Sequence, residues 1–245
     1  MIKLPKISAT IEARMSSKRL PGKVLLPLMG KPILLFIIDR LRLSSKIDEI
    51  IVATTTKNED KVIQKYCEKW GVNCYAGSSE NIISRLIGAT SQIKTDVILQ
   101  ITGDNPFVDP KLIDLAIEIY NKNDFDYVCN HLPRTLPLGL EIKIFSRKTL
   151  LEVKRMAKNK VDKQHGSSFI YKNPEKFSIF NIYYNDSSQK DLRLTIDQPE
   201  DYETVINILS KVKTNFFIDD ILKIVKNNPE VITNSMIKQK TLNEG

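Results

Sequence analysis

A short loop near the start of the sequence concentrates positive charge. It follows an apolar run at residues 7–11 that is typical of a buried strand, and small residues keep its backbone accessible. Its cationic residues are Arg14, Lys18, Arg19 and Lys23. Backbone N–H groups and a helix N-terminus can receive phosphate oxygens while Lys and Arg neutralise their charge. The loop therefore predicts a polyphosphate site, and a nucleotide is the expected ligand.

This loop differs from the glycine-rich phosphate motifs. The sequence contains neither G-x-x-x-x-G-K-[ST] nor a G-x-G-x-x-G after the first predicted strand. A solvated basic loop is the alternative, since most runs of charge are solvated. The position directly after a buried strand favours phosphate binding.

Two aspartates follow apolar runs. Asp104 comes after residues 96–101, and Asp197 comes after residues 192–196. Strands of a parallel sheet end at one edge, so Asp104 and Asp197 are predicted to share a site. Mg²⁺ is commonly held by one or two carboxylates together with substrate phosphates. Helix capping is the alternative, because Asp before Pro is a common helix start.

Nucleophilic catalysis has little support in this sequence. The only histidines are His131 and His165, and neither belongs to a recognisable serine or cysteine couple. The remaining possibility is phosphoryl-type chemistry, in which cationic side chains bind the phosphates, a metal ion stabilises their charge and the reactants are held in position.

The predicted elements fit this chemistry. Strand and helix patterns alternate over residues 7–121, which predicts a doubly wound, largely parallel sheet with ligands at the strand C-termini. The alternation then breaks. Strands are predicted at 140–145 and 177–184 on either side of a helical stretch at 147–171, and we expect these elements to form an arm off the main sheet. A strand at 192–196 and helices at 199–211 and 219–227 follow. We expect one domain over residues 1–245, with a frayed polar tail at 235–245.

Composition narrows the class of protein. The 245 residues carry a net charge of +8, but the lysines are spread along the chain, so nucleic acid is not the expected partner. No apolar run is long enough to cross a membrane, and the N-terminus lacks a signal-peptide pattern. Three scattered cysteines indicate reduced thiols. We expect a cytoplasmic protein.

Several motifs in order resemble the cytidylyltransferase family, which includes the enzymes that activate Kdo and sialic acid. They are Glu-Ala-Arg-Met-Ser-Ser-Lys-Arg-Leu-Pro-Gly-Lys at 12–23, Gly-Lys-Pro-Ile-Leu at 30–34, Ile-Thr-Gly-Asp at 101–104, Leu-Pro-Arg-Thr at 132–135 and Arg-Leu-Thr-Ile-Asp-Gln-Pro-Glu-Asp at 193–201. The resemblance covers residues 7–220 and is closest to the spore-coat polysaccharide branch. It implies a Rossmann-like nucleotide-diphospho-sugar transferase fold, α/β, with a mostly parallel mixed sheet, flanking helices and a small dimerisation arm near residues 140–184.

The resemblance also implies a reaction. An acceptor oxygen attacks the α-phosphorus of CTP, and pyrophosphate leaves. Arg14 and Lys23 would hold the triphosphate, while Asp104 and Asp197 would bind Mg²⁺. These four are the implied catalytic residues. Further nucleotide contacts would be Ala13, Ser16, Lys18, Arg19, Ser78, Arg85 and Asp104. For Arg85 an exposed helix charge is an equal alternative.

Four residues are implied as acceptor contacts: His131, Arg134, Glu141 and His165. For His165 an ordinary exposed histidine is the alternative. Relatives carry a His-Val-Thr-Pro-like run where this chain has His-Gly-Ser-Ser at 165–168, and often Asp at position 141, so the acceptor can differ. The expected acceptor is an acidic cell-surface sugar, nonulosonate or Kdo-like. A phosphonate or phosphorylated small molecule is one alternative, and a non-catalytic nucleotide-binding scaffold is another. A homodimer is also expected.

Overall fold

The computed structural model describes residues 5–164, 166–213 and 215–237. In these residues strands and helices alternate along the first half of the chain, as the periodicity predicts. The strands are β1 (Ile7–Glu12), β2 (Pro27–Leu28), β3 (Lys31–Pro32), β4 (Glu49–Thr55), β5 (Asn73–Gly77), β6 (Val97–Thr102), β7 (Tyr127–Cys129), β8 (Lys143–Ser146) and β9 (Ile179–Asn181). The helices are α1 (Ile33–Leu41), α2 (Lys61–Lys69), α3 (Ile82–Gln92), α4 (Pro110–Lys122), α5 (Arg147–Met156), α6 (Lys160–Gln164), α7 (Ser168–Tyr171), α8 (Pro199–Leu209) and α9 (Ile218–Asn227).

Seven strands form the main sheet in the order β5-β4-β1-β6-β8-β7-β9. All neighbours are parallel except β8, which runs antiparallel to β6 and β7. β2 and β3 form a separate small hairpin. This mostly parallel mixed sheet with flanking helices confirms the predicted fold class.

Apolar side chains cover both faces of the sheet. Along β4, Val52 belongs to one apolar cluster while Ile51 and Ala53 belong to the other, and all three are fully buried. α1, α4, α8 and α9 contribute to the first cluster, and α3, α5 and α7 to the second. Burial on both faces explains the continuous apolar runs of the central strands.

The predicted strand at 192–196 is wrong. That segment is not in a ladder and makes one isolated bridge, between Leu138 and Arg193. Leu194 and Ile196 are nevertheless fully buried. Their apolar side chains indicate burial, but they do not distinguish a strand from an irregular segment that packs into the core.

The arm predicted off the main sheet is also wrong, because β8 and β9 are strands of that sheet.

The helical stretch predicted at 147–171 is divided into α5, α6 and α7. The Asn159 side chain accepts a hydrogen bond from Asp162 N (2.8 Å) and so begins α6, and Gly166 has a positive φ of 53° before α7. Part of the predicted frayed tail, from residue 238 onward, lies outside the described residues.

Two further findings concern membrane-spanning helices and the cysteines. Within the described ranges no helix is both long and apolar enough to span a bilayer. Cys67, Cys74 and Cys129 form no disulfide, as the sequence predicts.

Candidate active site

The cationic loop is closed by its own backbone. Ser17 N and Gly22 N both donate hydrogen bonds to the carbonyl of Met15, each at 2.9 Å. Gly22 has φ 71°, a conformation that strains residues with a side chain. Buried Asp60 accepts a hydrogen bond from Met15 N (2.7 Å). These bonds fix the loop between β1 and the 3₁₀ turn that Lys23 begins.

Lys23 reaches two carboxylates from this loop. Its Nζ donates to Asp104 Oδ2 at 2.6 Å, to Asp197 Oδ1 at 2.8 Å and to the carbonyl of Ile196 at 2.8 Å. Only 12% of its side chain is exposed. Asp104 and Asp197 are therefore brought onto a single cation at the C-terminal edge of the sheet.

Backbone contacts bring the two aspartates together. Gly103 N donates to the carbonyl of Glu12 (2.8 Å), and a Cβ on Gly103 would lie 2.9 Å from that oxygen. A residue without a side chain is thus required where the end of β6 approaches the end of β1. Ile196 N then donates to the carbonyl of Asp104 at 2.9 Å. This bond aligns the two acidic segments although no ladder joins them.

Charge surrounds Asp197. Its Oδ2 lies 2.7 Å from Arg193 Nη2 and 3.1 Å from Arg19 Nη2. Burial alone would raise the pKa of Asp197, but Lys23, followed by Arg19 and Arg193, outweighs it and holds that pKa below the usual value. Burial likewise opposes the charge of Lys23, but Asp104 and Asp197 raise the pKa of Lys23 above its usual value. Both groups are held in their ionised forms.

A fully buried carboxylate, Asp201, supports this arrangement. Its Oδ1 accepts from Arg193 Nε and Asn234 Nδ2, each at 2.8 Å. Its Oδ2 accepts from the backbone N–H groups of Asp197 and Gln198, each at 2.9 Å. Sequence reasoning included Asp201 and Arg193 in a motif without assigning them a role. The signal was present, because Asp at the third position of a helix after Gln-Pro can complete a capping box.

The other predicted nucleotide contacts differ in exposure, and Arg19 contacts Asp197 directly. Arg14, Lys18 and Arg19 are on the exposed side of the loop, Ala13 is buried and Ser16 is half-buried. Ser78 is exposed after β5.

Arg85 lies inside the protein. Its side chain is 4% exposed, so the alternative of an exposed helix charge is wrong. Its Nη1 donates to the carbonyl of Ser78 (3.0 Å), and its Nη2 lies 4.0 Å from Glu12 Oε2. Arg85 thus links the segment after β5 to the end of β1.

Gln100 is a buried polar residue that sequence reasoning missed. Its Nε2 donates to Glu12 Oε1, and the residue is 4% exposed. Gly166 lies against it, since a Cβ there would be 2.9 Å from Gln100 Nε2. A glutamine inside the apolar strand Val-Ile-Leu-Gln-Ile-Thr was the available signal.

Three of the predicted acceptor residues lie together on the segment after β7. Arg134 Nη2 is 3.0 Å from Glu141 Oε1, and Glu141 Oε2 accepts from Gly139 N at 2.9 Å. The His131 ring has its centroid 6.2 Å from that of Tyr127 and 5.6 Å from that of Tyr171. His165 lies outside the described residues.

The His131 ring is neutral at physiological pH. Burial, followed by the nearby charges of Lys143 and Arg134, lowers the pKa of His131 to about 3. Its two ring nitrogens are buried and have no hydrogen-bond partner among the described residues.

Lys23, Asp104 and Asp197 lie beyond the C-terminal ends of the parallel strands, where doubly wound sheets place their ligands. A sequence profile of the cytidylyltransferases matches residues 9–231. The chain therefore belongs to the cytidylyltransferase family, the family of CTP-dependent nucleotidyltransferases. It is 30% identical over 236 residues to the spore coat polysaccharide biosynthesis protein SpsF of Bacillus subtilis, covering 91% of this chain and 95% of that protein.

Solved structures agree with this assignment. A cytidylyltransferase from Leptospira borgpetersenii superposes with a TM-score of 0.91 at 32% identity, over 96% of this chain and all of that one. A CMP:2-keto-3-deoxy-manno-octonic acid synthetase complexed with CTP gives 0.62 at 16% identity, over 84% and 99% of the two chains. Rv0371c of Mycobacterium tuberculosis, in complex with manganese, gives 0.58 at 17% identity, over 84% and 100%. The last two likenesses establish the fold alone.

Replacing Asp201 tests the support beneath Asp197. Asp201→Asn keeps the volume but removes the buried negative charge that accepts hydrogen bonds from Arg193 Nε and Nη2, so that of these two carboxylates only Asp197 still faces Arg193. We expect the free energy of unfolding to fall by about 3 kcal/mol, measured by urea denaturation. Asp191→Asn, an exposed change in the same segment, is the control and should be near neutral. Equal stability of the two variants would contradict this role.

The lowered pKa of His131 gives stability a defined pH dependence. Between pH 6.5 and about 3 the unfolded chain binds a proton at this residue and the folded protein does not. The free energy of unfolding should therefore fall as pH falls below 6.5, with a slope from His131 approaching about 1.4 kcal/mol per pH unit. Urea unfolding at several pH values, with His131→Gln compared with wild type, isolates this slope. Parallel curves for the two proteins would refute it.

Proposed function

We propose that this protein transfers CMP from CTP to an acidic small molecule and releases pyrophosphate. The observation that carries the proposal is the convergence of Lys23, Asp104 and Asp197 beside the basic loop. Family membership supports CTP as the nucleotide. The reaction needs the triphosphate charge neutralised and the α-phosphorus held in line with the acceptor oxygen, which is catalysis by positioning and electrostatics.

In this proposal the loop binds the triphosphate. Arg14, Lys18 and Arg19 are the exposed cations on its outer side, and Lys23 lies at its inner end. Ser16 is a half-buried polar residue among these cations, and Ala13, whose N–H donates to the carbonyl of Ala53 at 3.5 Å, is assigned to the nucleotide as a backbone contact. Ser78 and Arg85, which are joined by a hydrogen bond and lie near the end of β1, are assigned to the nucleoside end. Guanidinium groups suit phosphate because they donate two parallel hydrogen bonds.

Asp104 and Asp197 are proposed to hold Mg²⁺. They fit a divalent cation because one oxygen of each already converges on a shared cation, Lys23 Nζ. In the described parts of the chain no group of three or more His, Cys, Asp or Glu residues forms a cage, and two carboxylates completed by substrate phosphates are the usual Mg²⁺ arrangement. When bound, the metal would stabilise the negative charge that develops on the phosphates.

The acceptor is proposed to bind on the side of Gln100, between His131 and the Arg134–Glu141 pair, with His165 as a further contact. A guanidinium here can bind a carboxylate. We propose an acidic cell-surface sugar, nonulosonate or Kdo-like, in keeping with the polysaccharide role in the name of SpsF. Because Arg134 would bind a phosphonate or phosphate equally well, a phosphonate or phosphorylated small molecule is the second candidate.

Pyrophosphate release from CTP tests the enzyme directly. Asp104→Asn and Asp197→Asn should each lower turnover by about a hundredfold or more, because the metal contributes several kcal/mol to transition-state stabilisation. Asp191→Asn should retain wild-type turnover. A panel of acidic sugars and phosphonates identifies the acceptor. The same assay with the four nucleoside triphosphates should favour CTP.

A nucleotide-binding scaffold would give the opposite result. It would show thermal stabilisation by CTP without pyrophosphate release for any acceptor. Stabilisation of equal size by all four nucleotides would remove the assignment of CTP. Wild-type rates in both carboxylate variants would exclude the proposed metal site.

We also propose a homodimer that uses residues 140–184. β9 is an edge strand of the sheet, and Phe180 on it and Tyr183 after it are 37% and 62% exposed. Unpaired strand edges readily associate with other chains. Light scattering at micromolar concentration should give twice the mass of the chain, and Tyr183→Asp should shift the mass toward the monomer. A wild-type protein that is active as a monomer would contradict the dimer.

A further inference from the structure

The hydrogen bonds of Lys23 leave its ammonium no capacity for a ligand. An ammonium group carries three N–H donors. Here Asp104, Asp197 and the carbonyl of Ile196 accept all three, at 2.6–2.8 Å. Lys23 cannot bind a phosphate oxygen and keep these partners at the same time.

We propose that Lys23 substitutes for the divalent cation in the nucleotide-free protein, and that nucleotide and metal enter together by displacing it. This inference rests on the proposed function and adds an order to its binding steps. The metal alone binds only weakly, and the triphosphate withdraws the ammonium from the carboxylates. The protein therefore selects a metal–nucleotide complex over either component.

The charges around the site favour joint binding of the metal and the nucleotide. Three cations face three carboxylates: Lys23, Arg19 and Arg193 against Asp104, Asp197 and Asp201. A divalent ion added to this balanced cluster would leave two uncompensated positive charges in a partly buried site. A triphosphate arriving with the metal supplies the missing negative charge. Coulomb interactions at separations of a few ångströms favour joint binding over binding of the metal alone.

The loop allows Lys23 to move without refolding. The backbone on its N-terminal side is fixed by the Gly22 N to Met15 carbonyl bond, and Lys23 itself begins the 3₁₀ turn. Its flexible four-carbon stem can turn the ammonium from the carboxylates toward an anion on the outer side of the loop. The carboxylates remain in position meanwhile, because Arg193 still holds Asp197 and a backbone bond still joins Asp104 to Ile196.

Mn²⁺ binding without nucleotide tests the inference. Electron paramagnetic resonance counts free Mn²⁺ in a titration of the nucleotide-free protein. Wild type should bind weakly, and Lys23→Met should bind at least about tenfold more tightly, because it removes the competing cation. Lys31→Met is the matched control. It removes the same charge from an exposed lysine that pairs with Asp39, and its Mn²⁺ affinity should equal that of wild type.

Two outcomes would overturn the inference: an unchanged Mn²⁺ affinity in Lys23→Met, or a gain of the same size in the control Lys31→Met. Circular dichroism and thermal melting check folding, and Lys23→Gln is used if the methionine variant does not fold. The titration requires no turnover. Pyrophosphate release by wild type, without the affinity gain, would retain the proposed function and reject the displacement. The affinity gain without pyrophosphate release would retain the displacement and reject the proposed function.

Discussion

The balance of charge around Lys23 Nζ is the constraint on which the rest of the site depends. Backbone bonds bring the Asp104 and Asp197 segments together, and the ammonium of Lys23 lies between the two carboxylates and offsets their repulsion. Like charges in a partly buried site would otherwise repel, and one carboxylate would take up a proton. The ammonium of Lys23 lowers the pKa of Asp197 and bonds to both carboxylates. The cationic loop, the end of β6 and the segment before α8 are therefore held by one electrostatic cluster.

This cluster connects regions far apart in the sequence. Lys23 comes from the first loop, Asp104 from the middle of the chain, and Asp201 from the first turn of α8. Asn234, which bonds to Asp201 and to the carbonyl of Arg193, extends the connection toward the C-terminus. A site assembled in this way exists only in the folded protein. Stability and catalytic competence are thus linked through the same carboxylates.

Much of this architecture could be predicted from the sequence. β4 and β6 contain nearly continuous apolar runs, so their burial between helices was evident, and Gly103-Asp104 marked the end of a strand. The structure of the segment at 192–196 was harder to predict, since its apolar residues fit a strand and an extended coil equally well. Strand order also escaped prediction, because β8 enters the main sheet antiparallel, between β6 and β7. The partners of Lys23 depend on tertiary contacts that no local pattern encodes.

The central claim is that Lys23 and a divalent cation use the same two carboxylates in turn. Its most direct test is a crystal structure with CTP and Mn²⁺, in which anomalous scattering locates the metal. We expect an anomalous peak coordinated by Asp104 and Asp197, with Lys23 Nζ bonded to a phosphate oxygen. A peak remote from these carboxylates, or Lys23 still bridging them beside bound CTP, would contradict it.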